Sequence, residues 1–269
     1  MHGPIEDFEL FSQHFAFSLP ARVNFVGGGG KTSLILKLLE EYSESVPVIY
    51  TTTTRIHPPH PCDGLAIISS DNDSYLEMML ENAVLGWCCG RRFVVTHLSS
   101  GPGLLRGVGR DFADRLDRAL FPLILNEADG ARSMPLKMPR EGEPVLMAGA
   151  NYLVPVIGLD CLNRPLGPQT LFRWELASQR YNLKAGQILV PELAASILLH
   201  PQGVCKDWQP GMQIIPFINK VDSDSEDVPA RALARALMNN DHFPVQRVVW
   251  GSVHNGSAAS LSDAGDGPG

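Results

Sequence analysis

An apolar run, Val23-Asn24-Phe25-Val26, enters four consecutive glycines, Gly27, Gly28, Gly29 and Gly30, and Lys31-Thr32-Ser33 follows at once. Leu34, Ile35, Leu38, Leu39 and Tyr42 then recur at the spacing of one helix face. Strand, glycine turn and helix in that order restrict the chain to folds in which backbone amides converge at a helix N-terminus. Such a site favours an anion through its unpaired N–H groups and the helix dipole. Lys31 supplies a charge for terminal phosphates, and the Thr32 hydroxyl is placed to hold Mg²⁺.

The spacing is short. A G-x-x-x-x-G-K-[ST] loop needs glycine six residues before the lysine, and that position is Phe25. The segment Gly27 to Thr32 reads G-x-x-G-K-T instead, which resembles the nucleotide loop of the Mur ligases. The competing reading is a glycine linker that happens to precede a lysine, and the strand and helix on either side argue against it.

Composition narrows the class. The 269 residues are 44% hydrophobic and 19% charged, as in a globular protein with a substantial core. A net charge of −7 provides no basic field for nucleic acid. No apolar run approaches the ~18 residues of a spanning helix, and the acidic start, Glu6, Asp7 and Glu9, is unlike a signal peptide, so a cytoplasmic chain without membrane partners is expected. The five cysteines, Cys62, Cys88, Cys89, Cys161 and Cys205, form neither a C-x-x-C nor a disulfide framework.

Further elements alternate along the chain. Residues 1–20 carry Phe8, Leu10, Phe11, Phe15 and Phe17, expected as a helix. Strands are predicted at 46–50, 64–68, 92–96, 121–125, 152–157, 213–218 and 245–250, and helices at 75–84, 112–120, 170–181, 191–200 and 229–238. That alternation predicts an α/β fold of P-loop NTPase type, a mostly parallel sheet with helices on both faces. One domain is expected over 1–255, with a Gly/Ser/Asp-rich flexible tail over 256–269.

Three stretches at predicted strand ends carry chemistry. Thr51 to Thr54 end one strand, followed by Arg55-Ile56; phosphate or Mg²⁺ contact and simple β-propensity both account for them. Leu123-Ile124-Leu125-Asn126 ends in Glu127 and Asp129, which extended geometry places on one side. Asp129 is the candidate second metal contact with Thr32, and Glu127 is a candidate for orienting attacking water. The polar, proline-spaced segment after Gly130 reads as a loop over the sheet's edge, with Arg132 and Lys137 as candidate phosphate or substrate contacts. Finally, Asn219-Lys220-Val221-Asp222 matches the N-K-x-D pattern that reads guanine. The Asp222 carboxylate accepts from guanine N1–H and the exocyclic amine, donors that adenine lacks. Asn219 is expected to tie loops together and Lys220 to lie along the base, with Gly251-Ser252 nearby. His57, His60 and Cys62 suggest a metal, though no fourth ligand stands close by, and an ordinary surface loop accounts for them too.

Taken in order, V-G-G-G-G-K-T-S, T-T-T-T-R-I, N-E-A-D-G-A-R-S-M-P-L-K, V-I-G-L-D and F-I-N-K-V-D resemble the YqeC family over roughly residues 10–253. Its members are described as accessory proteins of selenium-dependent molybdenum hydroxylases or selenium cofactor biosynthesis proteins. The resemblance implies a P-loop nucleotide-binding protein acting in maturation of such a hydroxylase or its cofactor. The partner it implies is the hydroxylase or a cofactor-maturation protein. The residue reading adds Mg²⁺ with GTP or ATP as cofactors, and Lys31, Glu127 and Asp129 as the catalytic set of a slow NTPase. Two alternatives stand beside it: an ATP-dependent small-molecule kinase or ligase with a Mur-like loop, and a binding scaffold that keeps an inactive loop.

Overall fold

The computed structural model describes residues 10–59, 65–86, 91–98 and 103–262. Ten strands form its main sheet: β1 (Ala21–Gly27), β2 (Val48–Thr52), β3 (Leu65–Ser69), β4 (Arg92–Thr96), β5 (Leu123–Glu127), β6 (Tyr152–Gly158), β7 (Gln213–Ile214), β8 (Phe217–Asn219), β9 (Arg247–Ser252) and β10 (Ser257–Ser262). Their order is β10-β9-β8-β6-β1-β5-β2-β4-β3, with β7 also paired to β6. Every pairing is parallel except β9 with β10. The expected α/β architecture is therefore present.

Every residue of β1, β5 and β6 is buried, as parallel strands covered on both faces require. Seven helices accompany the sheet among the described residues: α1 (Phe11–Phe15), α2 (Lys31–Tyr42), α3 (Asp73–Gly86), α4 (Phe112–Arg115), α5 (Trp174–Tyr181), α6 (Pro191–Leu198) and α7 (Asp227–Met238). One face of β1 directs Val23 and Phe25 into a cluster with Leu34, Ile35, Leu38 and Leu39 of α2 and with Phe11 and Phe15. Val26 joins a second cluster built from Leu153, Ile157, Leu233 and Trp250, and a third gathers Ile49, Phe93 and Ile124 over Leu76 and Leu80 of α3. The helix-face spacing after Ser33 thus became a buried helix face because the sheet supplied an apolar partner.

Some expectations change. Residues 257–262, predicted as part of a flexible tail, form β10, hydrogen-bonded antiparallel along β9 from Arg247–Ser262 to Ser252–Ser257. Main-chain pairing needs no apolar side chains, so polar composition concealed it. The segment expected as an edge loop after Gly130 instead lies over the middle of the sheet. Leu136 and Lys137 pair with Leu171 and Phe172, and both are buried. Helix α4 is shorter than its pattern suggested because Leu116 is already extended. His60, Cys62, Cys88 and Cys89 lie outside the described residues, while Cys161 and Cys205 are buried free thiols.

Phe217 of β8 makes ring contacts with Phe11 at 5.8 Å and Phe15 at 5.9 Å and is fully buried. Phe217→Ala should lower unfolding free energy by about 3–5 kcal/mol, the cost of an aromatic-sized cavity. Urea denaturation followed by circular dichroism reads that loss; a change below about 1 kcal/mol would mean that α1 does not pack on β8 in solution.

Candidate functional site: a glycine loop over a buried ion chain

The strand order changes direction at β1, with β5 on one side and β6 on the other, and the glycine loop leaves the C-terminal end of β1 at that point. Open parallel sheets place ligands there. The glycines are required by both conformation and space. Gly27, Gly29 and Gly30 have φ of 93°, 74° and 112°. A Cβ on Gly29 would stand 2.2 Å from the Gly158 nitrogen, and one on Gly30 would stand 2.5 Å from the Asn219 side-chain amide.

The amides divide into two sets. Gly28 N–H donates to the Val156 carbonyl and Gly29 N–H to the Met134 carbonyl, each at 2.9 Å, so these two brace the loop rather than face a ligand. The amides of Gly30, Lys31, Thr32 and Ser33 have no protein acceptor among the described residues. They form the open start of a twelve-residue helix, where partial positive charge accumulates.

Lys31 is buried at the base of this opening. Its ammonium donates to the Gly27 carbonyl at 2.6 Å and pairs with Asp129 at 3.0 Å, while Glu127 stands 3.9 Å away. Asp129 is fully buried; it also pairs with Lys137 at 3.0 Å and accepts from Gly27 N–H at 3.2 Å. Lys137 continues to Glu143 at 2.8 Å, and Glu143 takes both guanidinium arms of Arg173 at 2.7 and 3.1 Å. A chain of alternating charges therefore runs from the loop lysine to Arg173. Burial alone would raise the Glu143 carboxyl, but hydrogen bonds from Arg173 and Lys137 outweigh it and hold its pKa down at about 2.

Glu127 has other partners. Its Oε2 accepts from the Thr32 hydroxyl and from the Tyr50 hydroxyl, both at 2.9 Å. Burial first, and then the adjacent Glu127 charge, push the Tyr50 phenol well above its ordinary pKa, so Tyr50 stays a donor. The sequence pointed to Asp129 as the companion of Thr32; the structure puts Glu127 beside Thr32 and Asp129 between the lysines. A hydroxyl and a carboxylate are the hard oxygen donors that suit Mg²⁺.

Most of the threonine block is structural. The Thr51, Thr52 and Thr53 hydroxyls donate to the carbonyls of Val95, Glu127 and Val145. Thr54 borders the cavity in front of the loop.

The N-K-x-D residues stand on the opposite flank. Asn219 donates to the Gly29 carbonyl at 2.7 Å and accepts from Val253 N–H at 3.3 Å, tying the glycine loop to the loop after β9. Lys220, in the left-handed region at φ 65°, pairs with Asp160 at 2.7 Å. Asp222 accepts from the Ser252 hydroxyl, and Asn255 donates to its carbonyl at 3.0 Å.

Sequence reasoning missed Tyr50, Glu143, Phe172 and Arg173. Nothing in their local pattern marks them. The one available signal was Lys137, a charge inside the apolar run Met134-Pro135-Leu136-Lys137-Met138, where burial demands a partner. Among the described residues no three His, Cys, Asp or Glu side chains cluster as a metal site. No helix among them is long and apolar enough to cross a membrane.

Fold and loop together define a P-loop NTPase-like α/β protein. The family model described as YqeC protein matches residues 23–175, more than half of the chain, and the chain belongs to that family. It is 26% identical over 223 residues to the uncharacterized protein YqeC of Escherichia coli (strain K12), covering 82% of this chain and 84% of that protein. No solved structure matches.

The depressed Glu143 carboxyl makes a pH prediction. Its stabilisation is complete above the ordinary value of 4.5 and is lost as pH falls toward about 2. Glu143→Gln should therefore destabilise the chain at pH 7 by on the order of 2–3 kcal/mol, with the two denaturation curves converging as pH falls from 4.5 toward 2. A difference independent of pH would mean that Glu143 acts through packing alone.

Proposed function

We propose that the chain is a Mg²⁺-dependent, guanine-selective nucleotide-binding protein with slow intrinsic hydrolysis. Its proposed setting is the maturation of a selenium-dependent molybdenum hydroxylase or its cofactor, the role implied by the family resemblance. The observation that carries the nucleotide reading is the convergence of Thr32 and Glu127 at the open N-terminus of α2, with Lys31 beneath. Four free amides and a buried ammonium suit a chain of phosphates. Thr32 and Glu127 would hold Mg²⁺, which when bound offsets phosphate charge and polarises the terminal group.

The protein's own residues do the rest. The amides of Gly30 to Ser33 orient the phosphates. Lys31 turns from the Gly27 carbonyl toward the terminal phosphates while Asp129 keeps it aimed. Tyr50 holds Glu127 against Thr32, and that geometry supports Glu127 rather than Asp129 as the metal contact. Asp222 accepts the guanine donors, and Asn219 holds the base-reading loop at a set distance from the glycine loop. The linkage of Asn219 to both Gly29 and Val253 supports guanine, because an incidental N-K-x-D would have no reason to join those two loops.

Equilibrium binding with Mg²⁺ and fluorescent GTP, competed by ATP and CTP, tests this. GTP should bind at least about 100-fold tighter than ATP, and Asp222→Asn should remove most of that preference. Lys31→Ala should weaken Mg²⁺-GTP about 100-fold, and Glu127→Gln should abolish the Mg²⁺ enhancement while leaving weak metal-free binding. Equal binding of ATP and GTP would sink the guanine assignment. Unchanged affinity in Lys31→Ala would sink the nucleotide site itself and leave the scaffold reading.

A further inference from the structure

A cavity of about 680 Å³ opens in front of the glycine loop. Its lining runs from Gly28–Ser33 to a far wall made of Arg132, Ser133, Phe172 and Arg173. The base-reading residues Asn219, Lys220 and Asp222 do not border it. A nucleotide anchored on Asp222 and on the start of α2 therefore leaves the far wall free.

That wall is built for an anion. The guanidinium of Arg173 lies 4.7 Å and that of Arg132 5.4 Å from the centre of the same Phe172 ring. Arg173 is locked there by Glu143 and by the Met138 carbonyl at 3.1 Å. Arg132 is exposed and makes no hydrogen bond or ion pair among the described residues, so its five donors are available. The cavity lining as a whole carries Lys31, Arg55, Arg132 and Arg173 against only Glu127 and Glu143, within a chain of net charge −7.

The backbone of the wall is also unusual. Arg132, Ser133 and Arg173 all hold positive φ, at 49°, 60° and 65°. Non-glycine residues rarely adopt that region, and strained positions concentrate at ligand clamps. Here the strain places two arginines on one ring. It is maintained by the buried pairing of Leu136–Lys137 with Leu171–Phe172 and by the Met134 N–H to Ala131 carbonyl bond at 3.0 Å.

We propose that Arg132, Arg173 and Phe172 form a second anion subsite, which takes the phosphate or carboxylate group of a small-molecule substrate beside the nucleotide's terminal phosphate. The planar guanidinium fork of Arg132 matches either oxyanion bidentately, while Arg173, its arms held by Glu143 and the Met138 carbonyl, adds charge beside it. The ion chain from Lys31 through Asp129, Lys137 and Glu143 to Arg173 holds the two anion sites in one rigid frame. The identification of the subsite as a substrate site rests on the nucleotide reading; the existence of the anion site does not.

Isothermal calorimetry on the full chain separates these. The protein is first saturated with Mg²⁺ and a β,γ-imido guanosine triphosphate, which fills the loop including the terminal phosphate position. Inorganic phosphate and malonate are then titrated separately. The subsite predicts one further saturable site for at least one of them, and which one binds identifies phosphate or carboxylate. Arg132→Ala should weaken that site about tenfold or more, Arg132→Lys should recover part of it, and the triphosphate affinity should stay within about twofold. Because Arg173 also supports Glu143, the Arg132 variants carry the test.

The same titration into nucleotide-free Lys31→Ala removes the loop lysine, and its comparison with Lys31→Ala/Arg132→Ala isolates the wall from the open amides of the loop. Anion binding that persists there and falls in Lys31→Ala/Arg132→Ala supports the subsite even if no nucleotide binds. Absence of a second site in the saturated wild type and of any site in Lys31→Ala overturns it. A loss of triphosphate affinity in Arg132→Ala without a second anion site overturns it too, and makes Arg132 a contact of the nucleotide itself.

Discussion

The site depends on one fully buried carboxylate. Asp129 neutralises Lys31 and Lys137 and accepts the first amide of the glycine loop. Taking any of these charges out of water alone would cost several kcal/mol, so each is tolerable only beside a buried partner of opposite sign. Asp129 thereby fixes where the loop starts, where its lysine stands and where the segment 134–139 lies over the sheet. Substituting Asp129 would leave the Lys31 ammonium with the Gly27 carbonyl and a carboxylate 3.9 Å away, and Lys137 with Glu143 alone.

The neighbouring carboxylate has a different role because it has different neighbours. Glu127 is the last residue of β5, in register with Phe25 of β1 and Thr52 of β2. That register brings it to the Thr32 and Tyr50 hydroxyls, while the chain turns after β5 and delivers Asp129 to the lysines. Two acidic residues two positions apart are thus separated into a hydroxyl-bound and a lysine-bound carboxylate. Environment, not residue type, distinguishes them.

Much of this arrangement was legible in the chain. The glycine loop, the helix after it, the acidic end of β5 and the N-K-x-D segment were each visible, because each rests on local chemistry: turn conformation, 3.6-residue periodicity and strand-end polarity. The role of the threonine block was not. Three of its hydroxyls face carbonyls of β4, β5 and the segment at 145, partners that no local pattern reveals. Strand β10 was hidden for a related reason, since main-chain pairing leaves little trace in composition.

The sequence by itself determined that a strand would end in a glycine turn and open a helix, and that the chain would build a parallel α/β sheet. Only the tertiary structure decided which amides remain open, which carboxylate meets Thr32, and that Arg132 and Arg173 share one aromatic ring. Those outcomes depend on contacts between segments 30 to 190 residues apart, from Glu143 on Arg173 to Asn219 on Gly29. Local pattern sets which conformations each segment can adopt. Burial of charge, which must be satisfied from elsewhere in the chain, selects among them.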